Sequence, residues 1–129
     1  LPPFLQPLQR KVGKWLDISP SRVVEALITE YTPGSAIGWH RDNEKFESIV
    51  GVSLSGWCHL RLRPLYIPGR RDPKEVITLP LEPRSAYLMQ NESRWDYQHS
   101  IPKLSTLRYS ITFRTLPKSV KPSRQVWRP

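Results

Sequence analysis

From residue 23 onward no apolar run is long, and each is cut off by proline, glycine, asparagine or a cluster of charge. Fourteen prolines in 129 residues are about twice the usual share. Proline has no amide hydrogen to give to a helix interior or an inner strand, so it limits both. What remains between the breaks is a series of short β-like runs. The first is Val24, Ala26 and Ile28 alternating toward Tyr31; others follow at 36–40, 49–54, 58–63, 76–79, 85–89, 98–101 and 107–114. Thr32-Pro33-Gly34-Ser35 carries the residues of a tight turn. Many short strands at this spacing predict a sandwich, jelly roll or barrel.

Only the beginning departs from that texture. Leu5, Leu8, Val12, Trp15 and Leu16 recur every three or four residues, a helical stripe that Gly13 weakens slightly. Residues 17–20 break it, and Ser19 or Ser21 is expected to cap a short turn. The length suits one domain, expected as a helical lead-in over 1–22, a β core over 23–116 and a basic tail over 117–129. Leu1-Pro2-Pro3-Phe4 lacks an initiator methionine and the features of a secretion signal, so the chain is expected to be a piece of something longer. No apolar run approaches the roughly 18 to 20 residues of a membrane span. Cys58 is the single cysteine, which excludes an intrachain disulfide and a cysteine metal cluster and suits a reducing compartment, cytoplasmic or nuclear. The chain is expected to act as a monomer.

Charge narrows the choice of partner. Lys and Arg outnumber Asp and Glu by 20 to 11, a net +9. Eight of the cations fall in residues 93–129 against one acid, Asp96, and a second cluster runs Arg61, Arg63, Arg70, Arg71, Lys74. A basic surface of this kind concentrates polyanions such as nucleic acid, although a merely soluble surface has the same composition.

Two patterns carry chemistry. In Trp39-His40-Arg41-Asp42 a histidine and an aspartate stand two apart, and on a strand such residues share a face. Two histidines and a carboxylate on one face of a metal leave positions open, as in non-haem Fe(II) oxygenases. The third ligand lies between His59 and His99, the other histidines of the chain. His59 has no partner motif and reads as structural, which leaves His99. Farther on, Arg108, Ser110, Thr112 and Arg114 share one face of an alternating run, with Tyr109, Ile111 and Phe113 on the other. If the first face points into a barrel, two buried guanidiniums need anions. A dicarboxylic acid supplies them through paired, charge-assisted hydrogen bonds. A keto dicarboxylate would also chelate iron at its other end.

With these residues in view the chain resembles the AlkB family of 2-oxoglutarate/Fe(II) dioxygenases. Residues 27–34, ending Tyr31-Thr32-Pro33-Gly34, are similar to a family segment that precedes the metal motif at this spacing, and Glu92-Ser93-Arg94 and His99-Ser100-Ile101-Pro102 are similar to the segment around the distal histidine. The run from Arg108 to Arg114 resembles the family's R-x-N/S-x-T-x-R signature. Thr29 and Ser110 stand where asparagine is common, each a shorter hydrogen-bonding group. The resemblance covers about residues 23–116 and implies a mainly β, double-stranded β-helix (jelly roll) with an N-terminal helical segment. It implies Fe(II) on His40, Asp42 and His99, with 2-oxoglutarate and O2 as cosubstrates. Arg108, helped by the Tyr31 hydroxyl, would take the distal carboxylate, Arg114 would lie near the iron-bound end, and Ser110 would line the pocket. The implied activity is oxidative dealkylation of N-alkylated bases in DNA or RNA, as in DNA repair. Glu44 would contact the base, and Arg70, Arg71 and Lys74 the phosphates. A protein, lipid or small-molecule substrate, and a non-catalytic nucleic-acid-binding module, are the competing expectations. The lid that grips the nucleotide in this family precedes the core and is expected to lie upstream of Leu1.

Overall fold

Alternation decides which side of each strand is buried, and the computed structural model shows the result for residues 1–65, 69 and 75–120. Eight strands form: β1 (Val23–Tyr31), β2 (Ile37–His40), β3 (Ile49–Ser55), β4 (Cys58–Pro64), β5 (Ile77–Leu81), β6 (Ser85–Met89), β7 (Tyr97–Ile101) and β8 (Arg108–Thr115). They make two four-stranded sheets of order β1-β8-β3-β6 and β2-β7-β4-β5, and every pairing is antiparallel. This is the jelly-roll order, a mainly β double-stranded β-helix. Helix α1 (Gln6–Leu16) precedes it and a single turn, α2 (Glu92–Trp95), leads into β7.

The two faces of the first sheet bury different things. Its outer face carries Val50, Ile111 and Phe113, which pack with Val23 beneath Val12 of α1 and Leu5 just before it. Each such side chain contributes about 1.5–3 kcal/mol when removed from water, which is why the amphipathic helix docks there. Between the sheets lie Tyr31, Ile49, Leu60, Leu62, Met89 and Ile101. Gly51 of β3 faces this interior and pairs with Thr112 on one side and Tyr87 on the other. The Tyr87 ring lies across it, and a Cβ there would sit 2.0 Å from Tyr87 Cε1.

The turn after β1 has proline at its second position and Gly34 at its third, with φ +90°. Ser35 N–H donates to Thr32 C=O at 3.0 Å, as a type II turn requires. Ser19 does not cap the turn at Pro20–Arg22 through its side chain; its hydroxyl is 2.8 Å from that of Ser21 instead. Cys58 is buried and free. Among the described residues no helix is long and apolar enough to cross a membrane. Arg70, Arg71, Lys74 and the tail cations from Lys121 onward lie outside the described residues.

Candidate metal centre and cosubstrate cavity

β2 and β7 are paired so that His40 stands opposite His99, their ring centroids 4.2 Å apart. Asp42 is not on the strand with His40, as the i, i+2 spacing predicts. β2 ends at His40, and the aspartate opens the loop that follows. The loop nevertheless returns its carboxylate to the histidines: Oδ1 lies 3.3 Å from Nε2 of His40 and 3.3 Å from Nε2 of His99. At metal–ligand distances of about 2.1 Å, neighbouring donors on one face of an octahedron are about 3 Å apart. The three donors therefore fit a single ion with an open side. Nδ1 of His40 is 2.9 Å from the Gly38 carbonyl, which orients the ring and leaves Nε2 as the coordinating nitrogen.

What holds the loop is Arg94, a residue whose role the sequence does not announce. It is buried in α2, and its Nη2 donates to the carbonyls of Asn43 (2.8 Å), Phe46 (2.9 Å) and, at longer range, Asp42 (3.4 Å). Its guanidinium rests 4.2 Å from the Trp95 ring centroid, and its Nε has no hydrogen-bond partner. Arg41 replies from the loop by donating to the Trp95 carbonyl at 3.0 Å. α2 and the loop are thus tied in both directions.

Arg114 fixes the carboxylate itself. Its Nε donates to Asp42 Oδ2 at 2.8 Å and its Nη1 to Glu25 Oε1 at 2.8 Å. One carboxylate oxygen is held by arginine, so the other is presented to the histidines. Burial pushes the Asp42 carboxyl up, but the hydrogen bonds from His40 and His99 and the Arg114 guanidinium outweigh it and hold it well below the usual carboxylate range. The bond to Asp42 raises His40 above its ordinary value, against the opposing effect of burial. Of the two guanidiniums on the inward face of β8, then, Arg114 finds its anions within the protein. The expectation that both await a dicarboxylate holds for one at most.

Arg108 is the other. It is 1% exposed, its Nη2 donates to Ser53 Oγ at 2.7 Å, and its Nε has no partner. Among the described residues no carboxylate pairs with it. It lies over the ring of Tyr31, 5.1 Å from the centroid. Tyr31 also lines a cavity of about 170 Å³ that contains His40, Asp42, His99 and Arg114, with Thr29, Tyr87 and Thr112. Tyr31 thus lines the cavity that holds the cluster and also faces Arg108, which is not itself among the lining residues. Ser110 is buried in the ladder between Ser53 and Thr29 and is not among the lining residues. Glu44 is exposed on a shallow rim formed with Arg41, Asp42 and Asn43. His59 is exposed on β4 opposite Pro80, apart from the cluster.

The chain is 28% identical over 130 residues to the RNA demethylase ALKBH9B of Arabidopsis thaliana, covering 98% of this chain and 25% of that protein. It is 29% identical over 137 residues to the uncharacterized protein L905 of Acanthamoeba polyphaga mimivirus, covering 88% of this chain and 63% of that one. It therefore spans less than two thirds of the length of either relative. Among solved structures its fold is similar to the dTDP-6-deoxy-D-glucose-3,5-epimerase RmlC of Legionella pneumophila, with a TM-score of 0.59 at 14% identity, covering 84% of this chain and 55% of that one. It is also similar to Drosophila melanogaster CENP-C bound to CAL1, with a TM-score of 0.53 at 8% identity, covering 71% and 65%. These two likenesses concern the β-fold alone. The family model of the 2OG-Fe(II) oxygenase superfamily matches residues 1–114, and with the inward cluster of two histidines and an aspartate this makes the chain an AlkB-like member of that superfamily.

Proposed function

We propose that this chain is a 2-oxoglutarate-dependent dioxygenase that removes alkyl groups from base nitrogens in RNA or DNA. The observation that carries the oxygenase reading is the donor set of His40, Asp42 and His99 in a cavity lined by Tyr31, whose ring faces Arg108, a buried arginine that pairs with no carboxylate among the described residues. The similarity to an RNA demethylase along nearly the whole chain, together with the net charge of +9, supports nucleic acid as the substrate.

Iron(II) held by His40, Asp42 and His99 would supply the oxidising chemistry, in which 2-oxoglutarate and O2 give succinate, CO2 and a hydroxylated carbon. Each residue has a separate task. Arg114 keeps Asp42 ionised and aims one oxygen at the histidines. The Gly38 carbonyl takes the Nδ1 hydrogen of His40 and leaves its Nε2 lone pair free. Arg108 and Ser53 receive the far carboxylate of 2-oxoglutarate, with the Tyr31 ring as a wall. A carbon hydroxylated beside a base nitrogen is a hemiaminal, which falls apart to an aldehyde and the unmodified base. The base must be flipped out or single-stranded to reach the cavity. Glu44 at the rim is the proposed contact to it, with Arg70, Arg71 and Lys74 as proposed phosphate contacts.

The test is incubation with Fe(II), 2-oxoglutarate and single-stranded RNA and DNA oligonucleotides carrying N-methylated bases, read by mass analysis. Loss of methyl groups matched by succinate formation is expected. Succinate formation that no alkylated oligonucleotide changes would refute the nucleic-acid reading and favour a protein, lipid or small-molecule substrate.

A further inference from the structure

The outer face of the second sheet, turned away from the cavity, carries a feature the reaction does not use. Trp39 of β2 and Arg61 and Arg63 of β4 come together there across β7. The Arg63 guanidinium lies 4.4 Å and that of Arg61 5.1 Å from the Trp39 ring centroid. Each is also held through its inner nitrogen by a neutral acceptor on β7. Arg61 Nε donates to Ser100 Oγ at 3.3 Å, and Arg63 Nε to Gln98 Oε1 at 3.0 Å. Among the described residues neither arginine pairs with a carboxylate.

Those contacts orient the two cations without neutralising them. An indole face favours a guanidinium through its quadrupole, and a hydroxyl and an amide oxygen fix its plane. Two like charges two positions apart on one strand repel each other, and a bound anion relieves that repulsion. The fork of a guanidinium matches a phosphate better than a point charge does.

Position links this face to the reaction. Trp39 immediately precedes His40, so the two side chains leave opposite faces of one strand. β2 is an edge strand of its sheet. A chain that places a base beside His40 can therefore round that edge and lay its neighbouring nucleotides on the outer face.

We propose that Arg61 and Arg63, seated on Trp39, form a phosphate-binding face for the single-stranded nucleic acid that flanks the base in the cavity. The inference rests on the nucleic-acid reading above and adds where the strand runs.

The test is fluorescence anisotropy with a labelled single-stranded RNA carrying one N-methylated base, measured across a range of salt. Three proteins are compared: the parent, Arg61→Gln/Arg63→Gln, and Lys11→Gln/Lys14→Gln on α1, which removes the same charge behind the other sheet. The arginine pair is expected to raise Kd about tenfold. It should also flatten the slope of log affinity against log salt by about 1.4, at roughly 0.7 per lost phosphate contact. The lysine pair should change little. Arg61→Lys/Arg63→Lys, which keeps the charge, should recover most of the slope. Equal losses in both Gln pairs would reduce the effect to net charge, and an arginine pair that binds like the parent would remove the face; either overturns the proposal. A parent that demethylates the oligonucleotide while the arginine pair binds normally sinks only this inference. A parent that neither binds nor demethylates it sinks the nucleic-acid reading as well.

Discussion

Replacing Arg94 with methionine tests whether the loop bearing Asp42 is built by α2. The side chain is 3% exposed and gives two short hydrogen bonds, to Asn43 and Phe46 carbonyls, and a longer one to Asp42. Hydrogen bonds from a charged donor contribute about 1.5–3 kcal/mol each, so the two short ones set an upper figure of about 3–6 kcal/mol. Against that, burying a guanidinium among neutral partners carries a desolvation cost that methionine does not. Burial accordingly lowers the Arg94 pKa, partly opposed by Asp42. Water can reach the exposed Asn43 after substitution, while Phe46 is buried and its carbonyl stays dry. A net loss of about 2 kcal/mol follows, or about 8 °C in Tm for a chain of this size. The loosened loop should also cost about tenfold to a hundredfold in divalent-metal affinity, read by titration with Mn(II). Arg94→Lys, keeping one donor and the charge, should fall between. A methionine variant that melts within about 1 °C of the parent and binds Mn(II) equally well would refute the account.

Three other outcomes are expected. In metal-free protein, the Asp42 contribution to stability is complete above its unfolded value near 3.9 and is lost as pH falls below it, because its folded pKa is lowered. The His40 contribution is present below about 6.5 and is lost as pH rises, because its folded pKa is raised; urea midpoints taken with a chelator should therefore fall on both sides, and a midpoint that rises from pH 6 to 8 would contradict the assignment. Gly51→Ala should cost about 1–3 kcal/mol in urea unfolding by driving the Tyr87 ring aside, and combining it with Tyr87→Ala should cost less than the sum of the two. His40→Ala should abolish succinate formation while His59→Ala retains it, and the reverse would overturn the ligand choice.

The strands were legible because local chemistry sets them. Each of the eight short runs became a strand, with ends moved by a residue or two, as where β5 begins at Ile77 and β7 at Tyr97. The two-faced character of β8 was equally readable, since alternation is a property of neighbours. What could not be read was who meets whom across the fold. Glu25 and Arg114 are 89 residues apart, and only the β1–β8 register sets them opposite each other. That unseen carboxylate is why Arg114 was expected to wait for a ligand. The role of Arg94 was hidden for the same reason: its acceptors are backbone carbonyls, which carry no residue signature. The run that ends at His40 matches the end of β2, but nothing local shows that Asp42 reaches the histidines from the loop rather than from the strand face.

The position of β8 between β1 and β3 has a consequence for how the molecule comes into being. Among the eight described strands β8 is made last although it is an inner strand of the first sheet, so β1 and β3 wait with facing edges open until residue 115 is made. Non-local pairing of this kind is slow, and exposed edges are open to wrong partners meanwhile. The same strand delivers both Arg108 and Arg114. A nascent chain therefore carries its two histidines and aspartate before it has either arginine, and the cluster gains its arginines only once β8 has been made.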